Sequence, residues 1–228
     1  MADRLIQLGI SGQASSLSGS ADPQAALRDE ELIAGLRELR ESAYEELIER
    51  YQQPVYNIVY RMLNDANDAN DVVQEVFFKV FRRIHSFRRE SSLKTWVYRI
   101  AVNEACNRRR YFHRHLRQEI DLDRSSDSGW TLQDTLATED RSPYDQALSH
   151  EQQALLEQAL TGINPIYRAA LVLREVEELS YEEIADILQV ALGTVKSRIM
   201  RGREALRAEY IRLSTETAAL HLSPQTAE

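Results

Sequence analysis

Apolar residues return at steps of three and four along two long stretches of this 228-residue chain, and between those stretches the rhythm stops. Leu47, Tyr51, Val55, Ile58, Val59 and Met62 trace one helix face, and Val73, Phe77, Val80 and Ile84 trace another. The pattern resumes with Leu148, Leu155, Leu156, Ala159 and Leu160, then with Ala169, Leu171, Val172 and Leu173. Side chains three or four apart share a helix face, so each run predicts an amphipathic helix that buries one side. No run shows the period of two that a half-buried strand needs. The expected fold class is all-α: two small helical domains joined by a flexible acidic linker, the second containing a helix-turn-helix.

Residues 1–26 are rich in Ser, Gly, Ala and Gln and carry no aromatic ring, which predicts a flexible N-terminal extension. The first domain is expected over residues 27–113 and the second over 147–213, with a C-terminal tail at 214–228. Between the domains, over residues 114–146, "EIDLDRSSDSGWTLQDTLATEDRSP" is acidic, rich in Ser and Asp and closed by Pro143. Pro54 interrupts its periodic run and predicts a kink or a new segment. "NDANDAND" at 64–71 offers several helix N-caps, and its carboxylates suit a helix N-terminus.

Charge is more telling in its distribution than in its sum, which is −8. Residues 28–75 hold 5 basic and 12 acidic side chains; residues 79–117 hold 12 and 2; residues 118–146 hold 2 and 8. Such blocks describe partners rather than fold. The single Cys106 excludes a disulfide framework and any thiolate zinc site within one chain, and leaves a redox role open. No apolar run approaches the roughly 18–20 residues that span a bilayer. The opening "MADRLIQLGISG" has too short an apolar patch for a secretory signal. A cytoplasmic protein with no direct membrane insertion is expected.

Three surfaces emerge from the spacing. In "LSYEEIADILQVALGTVKSRIMRGREALR" (179–207), Ser180 followed by Glu183 forms a capping box. The helix it opens buries Ile184, Ala185 and Leu188, and a second helix is anchored inward by Val195 and Ile199. Small Ala185 allows the close crossing of a helix-turn-helix, and the second helix carries Lys196, Ser197, Arg198, Arg201 and Arg203 towards DNA. Gly202 within that helix costs about 1 kcal/mol relative to Ala and has no explanation in the sequence. On a second surface, Trp96, Arg99, Asn103, Asn107 and Arg110 share a helix face, with Val97, Ile100, Ala101 and Ala105 on a buried one. A stacking ring, amides that read base edges and arginines for phosphates are the groups that hold unpaired bases. The loop before it adds Arg88, Arg89, Lys94, Ser91, Ser92 and Thr95. The third surface is the polar side of "DVVQEVFFKVFRRI", where Phe78 stands among Asp71, Gln74, Glu75 and Arg82 either as an apolar anchor rimmed by charge or as a ring packed against a neighbouring helix of its own domain.

"YEELIERYQQPVYNIVYRML", "DANDVVQEVFFKVF", "FRRESSLKTWVYRIAVNEACNRRR" and "LSYEEIADILQVALGTVKSRIMRGRE" resemble, in order and spacing, an extracytoplasmic-function (group IV) bacterial RNA polymerase sigma factor. The resemblance runs from about residue 27 to 213. It implies a sigma region 2 domain and a sigma region 4 domain. Asp71, Gln74, Glu75 and Phe78 match the segment that docks on the β′ coiled coil of core RNA polymerase, and the β flap is a further partner. Arg88, Ser91, Ser92, Lys94, Thr95, Trp96, Arg99, Asn103, Asn107 and Arg110 match the surface that melts the minus-ten element and captures a flipped base. Thr194, Lys196, Ser197, Met200, Arg201 and Arg203 match contacts to the double-stranded minus-thirty-five element. Promoter DNA, double- and single-stranded, and an anti-sigma factor are the remaining implied partners. Gln189 and Ala191 depart from the glycine and proline frequent in the turn, and "GINPIYR" keeps a turn at Pro165 where the family often has Leu-Pro.

A helix-turn-helix repressor or activator acting without polymerase is the alternative reading, and it leaves the Trp96 face without a purpose. No cofactor, metal site or small-molecule substrate is expected, nor an enzyme. His113 and His115 lie in a basic segment, while His85, His150 and His221 lack partners at metal spacing, and no phosphate loop or nucleophile pattern occurs.

Overall fold

The computed structural model describes residues 23–116 and 143–222, with side chains over 27–110 and 152–217. Most of the expected N-terminal extension and linker, and the end of the tail, lie outside the described residues. Among the described residues the fold is all-helical. Helices α1 (Pro23–Arg37), α2 (Glu41–Leu63), α3 (Ala66–Arg83) and α4 (Leu93–Leu116) make the first group. The second comprises α5 (Pro143–Gly162), α6 (Pro165–Leu171), α7 (Tyr181–Leu188) and α8 (Leu192–Leu222). A 3-10 turn, Ile84–Ser86, ends α3, and a π-helical stretch, Val172–Val176, follows α6.

The periodic residues lie where their spacing puts them. Leu47, Tyr51, Val55, Ile58, Val59 and Met62 of α2 are buried, and so are Val73, Phe77, Val80 and Ile84. Helix α2 continues through Pro54 rather than starting afresh. An interior proline costs about 3 kcal/mol, and four fully or nearly buried side chains around it, Tyr51, Val55, Ile58 and Val59, outweigh that cost. Asp65 caps α3 by accepting from the Asp68 amide at 2.8 Å. Asn164 caps α6 the same way, accepting from the Ile166 amide at 2.9 Å, with Pro165 in the first turn where its missing donor costs nothing.

Both halves of the Ser180–Glu183 capping box are present, at 2.8 and 3.1 Å. Ile184, Val195 and Ile199 form the inside of the helix-turn-helix. Ile187 is buried there too, while Ala185 and Leu188 are only partly so. Between the helices Gln189 is left-handed, with φ 54°. Its amide donates to the Asp186 carbonyl at 2.7 Å, which offsets a conformation that glycine adopts more cheaply. Helix α8 runs past residue 213 to Leu222; Leu213 is buried, and Arg212 pairs with Glu209 at 2.7 Å and Glu216 at 2.6 Å.

The two groups pack against each other, with α2 and α4 of the first facing α5, α6, α7 and the π stretch of the second. Their apolar interiors run together into one buried cluster.

Gly202 now has a reason. A β-carbon there would stand 3.0 Å from Leu171 Cγ and 3.3 Å from the Tyr167 carbonyl oxygen, so α8 crosses α6 closely enough that a side chain fits only if Leu171 gives way. Gly202→Val is expected to lower the thermal unfolding midpoint. Gly202→Ala is expected to show none of the roughly 1 kcal/mol that losing a helical glycine usually brings. Circular dichroism melts check both, and a clearly stabilised alanine variant would show slack at the crossing.

Candidate partner and nucleic-acid interfaces

Helix α3 presents its polar side to solvent because its buried stripe takes Val72, Val73, Val76, Phe77 and Val80. On the outer side Asp71, Gln74 and Glu75 are exposed. Phe78 is 59% exposed, so it does not pack into its own domain. The Arg82 guanidinium lies 5.4 Å from the centre of the Phe78 ring. Beside it runs an apolar groove lined by Ile48, Gln52, Gln74, Phe77, Phe78 and Phe81. Ile48 and Gln52 come from α2, and the sequence reading missed them. Ile48 lies one residue off the buried Leu47 stripe and is 37% exposed, a signal that was readable only as a surface apolar residue.

The acidic rim is partly engaged. Arg108 of α4 reaches Asp68 at 3.4 Å and Asp71 and Glu75 at 3.8 Å each. Burial beside Asp65 and Asp71 pushes the Asp68 carboxyl up, against the pull of Arg108. Lys79 and Glu104 form a second bridge between α3 and α4.

Helix α4 buries Val97, Ile100, Ala101 and Ala105, as its spacing predicts. Asn103, Asn107 and Arg110 are exposed on the opposite side. Trp96, at the head of this face, is half-buried, its ring 5.0 Å from the Phe87 ring at a 40° tilt. The indole is thereby held against Phe87 while remaining partly open to solvent. Arg88 is exposed and Ser91 half-buried; Lys94 sits with its ammonium 5.5 Å from the Tyr98 ring centre. Ser92 and Thr95 are occupied locally. Thr95 is 5% exposed, its hydroxyl is 2.8 Å from that of Ser92, and its amide donates to Ser92 Oγ at 3.1 Å. That pair starts the helix. Arg99 is half-buried and donates to the Asp186 carbonyl of α7 at 2.8 Å. The structure therefore brings Trp96, Asn103, Asn107 and Arg110 together on one face of α4 and draws Arg99 towards the second group.

On α8, Lys196, Met200 and Arg201 are exposed, Met200 by 56%. Thr194 and Ser197 are half-buried, and the Ser197 hydroxyl donates back to the Thr194 carbonyl at 2.9 Å. Arg203 is engaged within its own group, donating to Glu175 Oε1 from Nε at 3.0 Å and from Nη2 at 2.5 Å. The face has the geometry of a recognition helix: its inner side is held by Val195 and Ile199, and its outer side projects cations and one long apolar side chain.

Among the described residues no cluster of His, Cys, Asp and Glu could hold a metal, and no helix is long and apolar enough to cross a membrane. Cys106 is half-buried on α4, and burial pushes its thiol up against the opposing pull of Arg110, Arg109 and Arg168.

The chain matches the family model "Sigma-70 region 2" over residues 47–115 and "Sigma-70, region 4" over residues 153–206. It is 36% identical over 184 residues to the RNA polymerase sigma-H factor of Pseudomonas aeruginosa, which covers 78% of this chain and 92% of that one. To the ECF RNA polymerase sigma-E factor of Escherichia coli K12 it is 37% identical over 186 residues, covering 79% and 93%. Among solved structures it is similar to the sigma factor RpoE in complex with the anti-sigma factor NepR from Bartonella quintana. There the TM-score is 0.55 at 23% identity, covering 73% of this chain and 95% of that one. CnrH in complex with the cytosolic domain of CnrY gives 0.56 at 20% identity, covering 79% and 95%.

Because the thiolate is the reactive form, Cys106 is expected to alkylate roughly tenfold more slowly in the native chain than in denaturant. Mass spectrometry after timed iodoacetamide treatment measures this, and equal rates would show that the thiol is open and unperturbed.

Proposed function

The chain belongs to the extracytoplasmic-function sigma factors of bacterial RNA polymerase, and from that premise we propose which of its surfaces does which part of the work. It binds core polymerase and directs it to promoters, and polymerase itself performs the chemistry. Phe78 and its groove, rimmed by Asp71, Gln74 and Glu75, take the β′ coiled coil. A ring 59% exposed beside apolar walls is an anchor that loses water only when a partner covers it.

The face of α4 holds the melted minus-ten element. The observation that carries this is the exposure of Asn103, Asn107 and Arg110 on one side of a helix whose other side is buried, with a half-buried indole at its head. Unstacking a base costs a few kcal/mol. A ring held by Phe87 and two amides on a rigid helix recover part of that cost without ordering anything first. Arg88, Ser91 and Lys94 steer the backbone, while Ser92 and Thr95 support the site by starting the helix. Thr194, Lys196, Ser197, Met200 and Arg201 of α8 read the duplex at the minus-thirty-five element. Arg203 joins them after exchanging Glu175 for a phosphate.

The β flap of polymerase and an anti-sigma factor are proposed further partners, and the cytoplasm is the proposed compartment. The sigma factor RpoE of similar fold supports the anti-sigma reading, since that protein is held by the anti-sigma factor NepR. The domains take the boundaries 27–113 and 147–213, with the linker between them.

The overall test is reconstitution: the chain added to core polymerase is expected to give promoter-dependent initiation, and no stimulation on any genomic template would end this reading. Within it, Phe78→Ala is expected to weaken core binding about tenfold or more while shifting folding stability by no more than about 0.5 kcal/mol. Asn103→Ala with Asn107→Ala should reduce strand opening, followed by permanganate footprinting, without lowering the melting midpoint. Trp96→Ala should lower opening more than closed-complex formation, and it also costs stability through Phe87. Equal loss of both complexes in the asparagine variant would assign that face to something other than melted DNA.

A further inference from the structure

The contact between the two helical groups is built from arginines on helix ends. The last four carbonyls of a helix lack an intrahelical donor and carry the negative end of its dipole. Arg168 of α6 donates from Nη1 to the Met62 carbonyl, in the last turn of α2 across the boundary, at 2.7 Å. In the other direction, Arg109 of α4 donates to the Thr161 carbonyl at the end of α5 at 3.3 Å, and Arg99 of α4 to the Asp186 carbonyl near the end of α7 at 2.8 Å. Tyr98 adds a fourth tie, its hydroxyl donating to Glu177 Oε2 at 2.8 Å.

Arg168 differs from the other two arginines because none of it meets solvent. Its Nη2 also donates to Thr161 and, at 3.5 Å, to Ile163. One buried guanidinium thus serves the carbonyl ends of α2 and α5 at once, and a buried charge that loses a partner is costly. Side chains of α4 are covered in the process: Tyr98 is 2% exposed, and Arg99, half-buried, turns from the side of Asn103 and Asn107 towards α7.

We propose that Arg168, backed by the Tyr98–Glu177 pair, is a latch that keeps the unbound chain closed, with α7 against the Arg99 end of the single-strand face. Core polymerase, which needs the two domains apart to span two promoter elements, opens it. The occlusion half of this rests on the reading of α4 as the single-strand surface; the latch itself does not. Single-stranded DNA is the ligand whose access the latch governs, and a closed majority lowers its apparent affinity by the fraction that is open.

The test uses the full chain without polymerase. Arg168→Met keeps an unbranched, flexible stem, shorter than that of arginine, and removes its donors; Tyr98→Phe keeps the ring and removes only the hydroxyl. Small-angle scattering measures the radius of gyration, circular dichroism the helix content, and anisotropy the binding of a fluorescent random-sequence single-stranded DNA pool at fixed low salt. Both variants are expected to retain helix content and expand, Arg168→Met more. DNA binding is expected to tighten roughly tenfold for Arg168→Met and less for Tyr98→Phe. A folded Arg168→Met chain with unchanged dimensions overturns the latch. If Arg168→Met loses helix content, Tyr98→Phe decides alone, and unchanged dimensions there overturn it as well. Expansion with no gain in DNA binding upholds the latch and rejects the single-strand role of α4.

Discussion

Two helix ends that share one buried guanidinium set the arrangement of this protein. The carbonyl of buried Met62 ends α2 and that of half-buried Thr161 ends α5, and the Arg168 guanidinium answers both. Leaving a buried polar group unpaired costs about 1–3 kcal/mol, so the second helical group has few orientations on α2 that satisfy these ends. The solution carries strain of its own. Arg168 Nε finds no partner, and burial, reinforced by the neighbouring Arg109, pushes the pKa of Arg168 down to about 9. It stays charged at neutral pH, and that charge suits two dipole ends at once.

Electrostatics divides the first domain in a way that linear counting does not capture. The basic block over residues 79–117 faces the acidic block before it across the α3–α4 contact. There Lys79, although basic, bridges to Glu104, and Arg108 reaches Asp68, Asp71 and Glu75. Part of the local excess of positive charge therefore holds two helices together. Arg82, Arg83, Arg88 and Arg89 stay exposed, Arg89 within 3.2 Å of Glu30, and Arg110 is exposed beside the amides of Asn103 and Asn107. One helix, α3, can show a partner an acidic rim around an apolar groove, while its neighbour shows nucleic acid cations and amides.

Most of the fold and part of the sites were legible before any coordinates. The buried stripes of α2, α3 and α4 follow from spacing, because a helix with 3.6 residues per turn leaves no choice of face. The capping box follows from Ser180 and Glu183 for the same local reason. The site residues split according to whether their surroundings are local. Phe78 was a surface anchor or a core ring on sequence grounds, and only the position of α2 leaves it outside. Thr95 looked like a DNA hydroxyl and is instead turned inward against Ser92. Ile187, Tyr98 and Met62 become meaningful only through what packs on them.

Local spacing is enough to set the helices, their buried faces, the helix-turn-helix and the presence of a basic, amide-bearing face, since these depend on residues within about two turns of one another. Only packing between distant segments explains why position 202 favours glycine, why α2 survives Pro54, where Arg99 points and which carbonyls Arg168 finds. Each of these is a contact between residues far apart in the chain, where a close approach of two backbones or a buried charge selects its partner by space rather than by spacing.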